Sequence, residues 1–203
     1  MLVLVRHGEA TANAAGLLLG RSDVPLTDKG RGQAAAVGAR LRHGPDGTAA
    51  PPVVAVVSSP LRRALDTADA LGLGLPVQVD RRWVEVDYGE HEGRALSDVP
   101  ADVWLRWRSD PAYRPEGGES LADLGARVRQ ACDDLVATPG EGARSDHGDV
   151  VVVSHVSPIK AAVAWALGAD DRLAWRLHLS TGSITRIAWT PSGPVVHGFN
   201  WTP

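Results

Sequence analysis

The chain has 203 residues, 44% of them hydrophobic and 22% charged, with a formal net charge of −3. That length can bury the core of one domain spanning residues 1–203; the slight acidity excludes a general nucleic-acid or membrane-surface role, so any attraction for an anion must be local. Cys132 is the only cysteine, which excludes an intramolecular disulfide and fits a reducing, cytoplasmic setting.

Leu2 to Val5 predicts a buried strand, too short for a signal peptide, that runs directly into Arg6-His7-Gly8-Glu9. Asp28 to about Arg42 predicts a helix opened by Thr27-Asp28, and Gly44 to Thr48 a loop leading to Pro51-Pro52. The apolar run Val53 to Val57 predicts a second strand ending at Ser58-Ser59. Pro60 then falls where a helix opens, which puts Arg62 and Arg63 in its first turn. Val77–Val79 reads as a short strand, and Leu96 to Trp107 and Leu121 to Val136 carry helical spacing of apolar residues. Residues 138–148 are polar and loop-like. Val150 to Val153 predicts another strand, ending at Ser154-His155, with a helix start at Ser157-Pro158. Ile184–Trp189 and Val195–Phe199 should pair antiparallel through Pro191-Ser192-Gly193. This order predicts an α/β fold, a three-layer α/β/α sandwich with a mostly parallel central sheet. No apolar run approaches membrane-spanning length.

The chemistry gathers at predicted strand ends. The carboxyl edge of an open α/β sheet is where ligands bind, and Arg6, His7 and His155 all fall there. A guanidinium fork beside an imidazole suits a tetrahedral oxyanion, with the ring nitrogen facing phosphorus. One strand-end histidine is usually structural. Two of them, each after a run of valine and leucine, weaken that reading.

Arg6-His7-Gly8-Glu9 with Asn13, then Ser58-Ser59-Pro60-Leu61-Arg62-Arg63-Ala64, then Glu85 to Gly93, then Ser154-His155 resemble the histidine phosphatase superfamily, the phosphoglycerate-mutase-like proteins. The match runs in order from Leu2 to about Gly198. The resemblance implies that His7 is the nucleophile and that Arg6, Arg63 and His155 complete the phosphate pocket. Arg63 rather than Arg62 matches, because the pocket arginine directly precedes the small residue held here by Ala64. Asn13 resembles the auxiliary pocket residue and Glu85 the proton donor. Ser154 to Lys160 is similar to a branch of short phosphatases related to α-ribazole phosphatase. Many members place Gly-Gly or Gly-Asn after the second histidine, whereas Val156-Ser157-Pro158 stands here; valine cannot relax into glycine's backbone region, so the rim should be shaped differently.

Read as chemistry, a neutral His7 attacks phosphorus while Arg6, Arg63 and a protonated His155 hold the oxygens. Glu85 gives the leaving alkoxide its proton and later takes one from water. Glu85 shares an acidic stretch with Asp87, Glu90 and Glu92, whose mutual repulsion should raise at least one pKa, while Glu90 and Glu92 read as solvated. Arg21 and Ser22, and Trp104 and Arg108 from the insertion between Gly93 and Glu119, are the expected substrate rim. No cofactor is expected, and no metal, because histidines paired with arginines repel one. These features predict a metal-independent phosphomonoesterase acting on a small phosphorylated metabolite, with no nucleic-acid or membrane partner and a homodimer left open. A cofactor-dependent phosphoglycerate-type mutase and a non-catalytic phospho-ligand binder are the alternatives. The substrate, the rate and the oligomeric state stay open.

Overall fold

A computed structural model describes residues 1–43, 48–137 and 148–203. Of the expected loops at 44–52 and 138–148, residues 44–47 and 138–147 lie outside the described residues. Among the described residues six strands form one sheet: β1 (Leu2–Arg6), β2 (Val53–Ser58), β3 (Val77–Val79), β4 (Asp149–Ser154), β5 (Ile184–Thr190) and β6 (Gly193–Trp201). Their order is β3-β2-β4-β1-β5-β6. The first four are parallel, and β5 runs antiparallel to both β1 and β6. The sheet is therefore mixed but mostly parallel, as expected.

Helices cover both faces because side chains alternate along β1. Leu2 and Leu4 pack with Val152, Ile187 and one helical layer, which contributes Leu124, Val128 and Cys132 from α5 (Leu121–Ala137) and Ile159 from α6 (Val156–Leu167). Val3 and Val5 face the other layer, formed by α2 (Asp28–Arg42) and α3 (Arg62–Ala70), through Val37, Leu41, Ala64 and Ala68. The central strand β4 is buried at every position, which is why its four valines run without polar interruption. Each buried valine of this kind is worth about 1.5–3 kcal/mol over an exposed one. Cys132 lies fully buried in α5, and burial pushes its thiol pKa up, so it packs as a small apolar residue. No described helix is long and apolar enough to cross a membrane.

Helix boundaries depart from expectation in three places. A short α1 (Thr11–Ala14) follows the first motif. The segment predicted as one helix over 96–107 is a 3₁₀ turn at Leu96–Asp98 and then α4 (Ala101–Ser109), because Pro100 holds Val99 extended and serves as the N-cap. Helix α3 begins at Arg62, two residues after Pro60, with the Arg62 amide donating to Asp23 Oδ1 at 2.6 Å.

Strand order does the positioning. The chain leaves β1, builds β2 and β3 outward, and then inserts β4 between β2 and β1. The carboxyl ends of β2, β4 and β1 therefore lie side by side at the point where the winding reverses. The ladder continues past the strands, with the His7 amide donating to Ser154 O at 2.9 Å and the Ser59 amide to Val153 O at 3.0 Å.

Candidate active site

His7 and His155 leave adjacent strands and meet with ring centroids 5.0 Å apart. His7 Nδ1 lies 2.7 Å from Gly8 O, a carbonyl that can only accept, so Nδ1 carries the ring proton and Nε2 the lone pair. Arg63 Nε donates to that Nε2 at 3.3 Å. Burial, then Arg6 and Arg63, hold the His7 pKa well below its ordinary value. The ring is therefore neutral, with its basic nitrogen beside the Arg63 guanidinium. Gly8 permits this turn because a Cβ there would sit 2.2 Å from Gly30 O of α2.

Arg63 is fully buried. Its two terminal nitrogens donate to Gly20 O at 2.7 Å and Ser22 O at 2.8 Å, which fixes the plane of the guanidinium. Arg62 is a surface residue 3.5 Å from Asp66. Arg6 donates to Leu179 O at 2.5 Å, and its pKa is pushed down to about 10 by burial, with Arg63 adding to the shift and Glu85 opposing it. His155 N-caps α6, with Nε2 2.7 Å from Ser59 Oγ. Burial, followed by Arg63, His7 and Arg6, holds its pKa well below the ordinary value, and a hydroxyl partner serves a neutral ring equally well.

Glu85 is buried in the same cleft as His7 and Arg6. Its Oε1 accepts from Val86 N at 2.8 Å and Ser157 N at 3.2 Å, the latter in the first turn of α6, while Oε2 has only a 3.4 Å contact to Ser157 N. The expected crowd of repelling carboxylates is dispersed. Asp87 accepts from Gly89 N at 2.9 Å, and Glu90 points to the surface. Glu92 is not solvated as expected: it accepts from the amides of Gly20 and Ser22 at 3.0 Å each. Residues 20–22 are thus held by Glu92 through their amides and by Arg63 through their carbonyls. Asn13 lines the cleft and uses Oδ1 to accept from Ala10 N at 3.0 Å.

The cleft encloses about 570 Å³ and is further lined by Leu17, His178 and Thr181. The expected rim residues sit elsewhere. Arg21 pairs with Glu119 at 3.1 Å, in a network that also holds Arg127, and Ser22 contributes backbone only, to Glu92 and Arg63. Arg108 stacks over Trp175 at 5.7 Å and lines a separate basic hollow with Arg172 and Arg176. Trp104 lines a neighbouring apolar cavity rather than the cleft.

Val156, expected to reshape the rim, does line the cleft, and so does Lys160, which the sequence reading left without a role. They stand one helical turn apart on the same face of α6, a spacing visible in the sequence once His155 is taken as the cap. Val156 is the first residue of α6, where ordinary helical backbone suffices, and the only described non-glycine residue with positive φ is Asn200. Its difference from glycine is thus side-chain bulk on the cleft wall, not backbone strain. Among the described residues no carboxylate lies within ion-pair distance of the Lys160 ammonium; burial lowers its pKa, Glu85 raises it and Arg6 lowers it.

Known proteins show the same arrangement at the level of the whole chain. A solved mycobacterial glucosyl-3-phosphoglycerate phosphatase in complex with VO3 superposes with a TM-score of 0.85 at 33% identity, covering 99% of this chain and 98% of that one. A putative α-ribazole-5'-phosphate phosphatase from Escherichia coli gives a TM-score of 0.80 at 27% identity, covering 98% and 95%. A curated bifunctional protein of Mycobacterium tuberculosis is 38% identical over 190 residues, which is 91% of this chain but 49% of that protein, so the chain spans about half the length of that relative. Residues 2–202 match the histidine phosphatase superfamily (branch 1), and with the strand-end histidines and buried arginines in place, the chain belongs to that family.

Proposed function

We propose that this protein is a metal-independent phosphomonoesterase that works through a phosphohistidine on His7, with residues 1–203 acting as one domain. One observation carries the reading: a neutral His7 whose Nε2 lone pair lies beside the guanidinium of Arg63, 3.3 Å from its Nε, at the floor of an open cleft. A cation-lined floor gathers a phosphate dianion, and a neutral imidazole is the form that can attack it.

In the first half-reaction Nε2 of His7 bonds to phosphorus as the ester P–O bond breaks. Arg6, Arg63 and His155 hold the non-bridging oxygens, and the dianion draws the His155 pKa back up, so that ring can then carry a proton. Glu85 protonates the departing alkoxide. Its Oε2 is the oxygen for this task, since Oε1 is already engaged by two amides. In the second half-reaction Glu85 takes a proton from water, whose oxygen attacks phosphorus, breaks the P–N bond and releases inorganic phosphate. Asn13 is read as an auxiliary cleft residue. The two solved structures described above carry phosphatase names, which favours hydrolysis over the mutase alternative. A non-catalytic binder would have no use for a buried carboxylate in the same cleft as the nucleophile.

The test supplies 3-phosphoglycerate with and without 2,3-bisphosphoglycerate and follows free phosphate and the 2-phospho isomer together. Phosphate release without isomer supports the hydrolase. Isomer formation that is stimulated by the bisphosphate and outpaces phosphate release would establish the mutase instead.

A further inference from the structure

Half of the aromatic residues cluster beside the phosphate cleft. Of seven tryptophans, two tyrosines and one phenylalanine, Trp104, Trp107, Trp175 and both tyrosines gather in one place, under α4 and beside the 3₁₀ segment Asp171–Arg176. Their rings brace one another: Trp104 lies 5.5 Å from Trp107 and 6.1 Å edge-on from Trp175, and Tyr88 meets Trp107 edge-on at 5.6 Å. Trp175 Nε1 donates to Trp107 O at 3.0 Å, so its polar edge is satisfied internally.

Packing alone would leave no room between these rings, yet a cavity of about 210 Å³ remains. An apolar cavity of about 150 Å³ is enough to hold benzene. Leu18, Tyr88, Leu96, Val156 and Lys160 line both this cavity and the phosphate cleft, so the two spaces adjoin, with these residues as the neck of the passage argued below. Polar groups on the cavity wall are few. Ser157 has its amide committed to Glu85, and Lys160 stands at the neck, where its aliphatic stem can line the wall while the ammonium faces the phosphate side. The hydroxyl-rich body of a sugar would find few partners here.

Resting on the phosphatase reading, we infer that the cavity is the leaving-group subsite and that the preferred substrate is a phosphomonoester of an alcohol bearing a flat, apolar, aryl-sized body. The phosphate occupies the cleft floor, the ester oxygen passes the neck between Val156 and Lys160, and the ring enters the tryptophan cage. Val156 thereby forms part of the passage that a glycine would leave wider.

The experiment compares 3-phenylpropyl phosphate with n-propyl phosphate, two unactivated primary esters that differ only in the ring, alongside binding of the matching non-hydrolysable phosphonates by calorimetry. The wild type should favour the phenyl ester in kcat/KM by about tenfold or more, and bind the phenyl phosphonate more tightly by a similar factor. In Trp104→Ala, which removes a wall, and Ala174→Trp, which fills the space, both ratios should fall towards one. Ratios near one in the wild type, or ratios that both variants preserve, would overturn the subsite even while phosphate release continues. If neither ester is turned over, release from 3-phosphoglycerate decides the phosphatase reading separately, and the phosphonate ratio alone still decides whether the cage binds the ring.

Discussion

The phosphate pocket and the tryptophan cage adjoin but are built by opposite physics. The pocket is polar and its groups are held in place: Arg63 is forked between two carbonyls, His7 is fixed by Gly8 and Arg63, and Glu85 is held by two amides. It grows from strand ends, where backbone hydrogen bonds set each side chain's origin. The cage is apolar and held by ring-on-ring contacts from segments far apart in the chain, residues 88, 104, 107 and 175. Preorganised polar groups of the first kind stabilise a transition state, whereas a cavity of the second kind selects by fit. In the proposals above, the pocket belongs to the reaction and the cage to the substrate.

That division can be broken by mutation. The largest effect should come from the pocket: Glu85→Gln should lower kcat by roughly 10²–10⁴-fold on alkyl esters. The loss should shrink on nitrophenyl phosphate, whose leaving group needs no proton. An equal loss on good and poor leaving groups would show that Glu85 is not the donor. The cage variants described above should act more mildly and through selectivity; a cage variant that lowered kcat on every ester alike would erase the distinction.

A smaller effect sharpens the electrostatic side. His7 and His155 are buried neutral, with folded pKa values well below the unfolded value of about 6.5. Below pH 6.5 the unfolded chain therefore binds more protons than the native one, so these groups make stability fall as the pH drops from about 6.5 towards their folded values. Urea unfolding at pH 7.5 and pH 5.5 should show this loss, and His155→Gln should reduce it. An unchanged pH dependence in that variant would mean His155 is not held neutral.

The sequence made the pocket legible because its groups are local to predicted strand ends: a branched apolar run followed by Arg6-His7, by Ser58-Ser59 with Arg63, or by Ser154-His155. The order of elements and the cap at Thr27 likewise foretold the two helical layers and the bounds of α2. What stayed hidden depends on contacts between distant segments. Arg21 and Ser22 looked like a rim, but residues 20–22 serve through their backbone, held by Glu92 and Arg63. Trp175 carries no local signal that it meets Trp104, 71 positions earlier in the numbering, edge-on. The break at Pro100 was visible as a residue, but apolar spacing on either side masked it.

The central claim is a covalent intermediate on His7. The direct measurement mixes the protein with a ³²P-labelled phosphomonoester, quenches in alkali within the first turnover, and maps the label by peptide analysis. The account predicts label on the peptide containing His7, stable to base and lost in acid, and none in His7→Ala, which should also show no turnover. Turnover persisting in His7→Ala, or label that is stable in acid or carried by another residue, would contradict it.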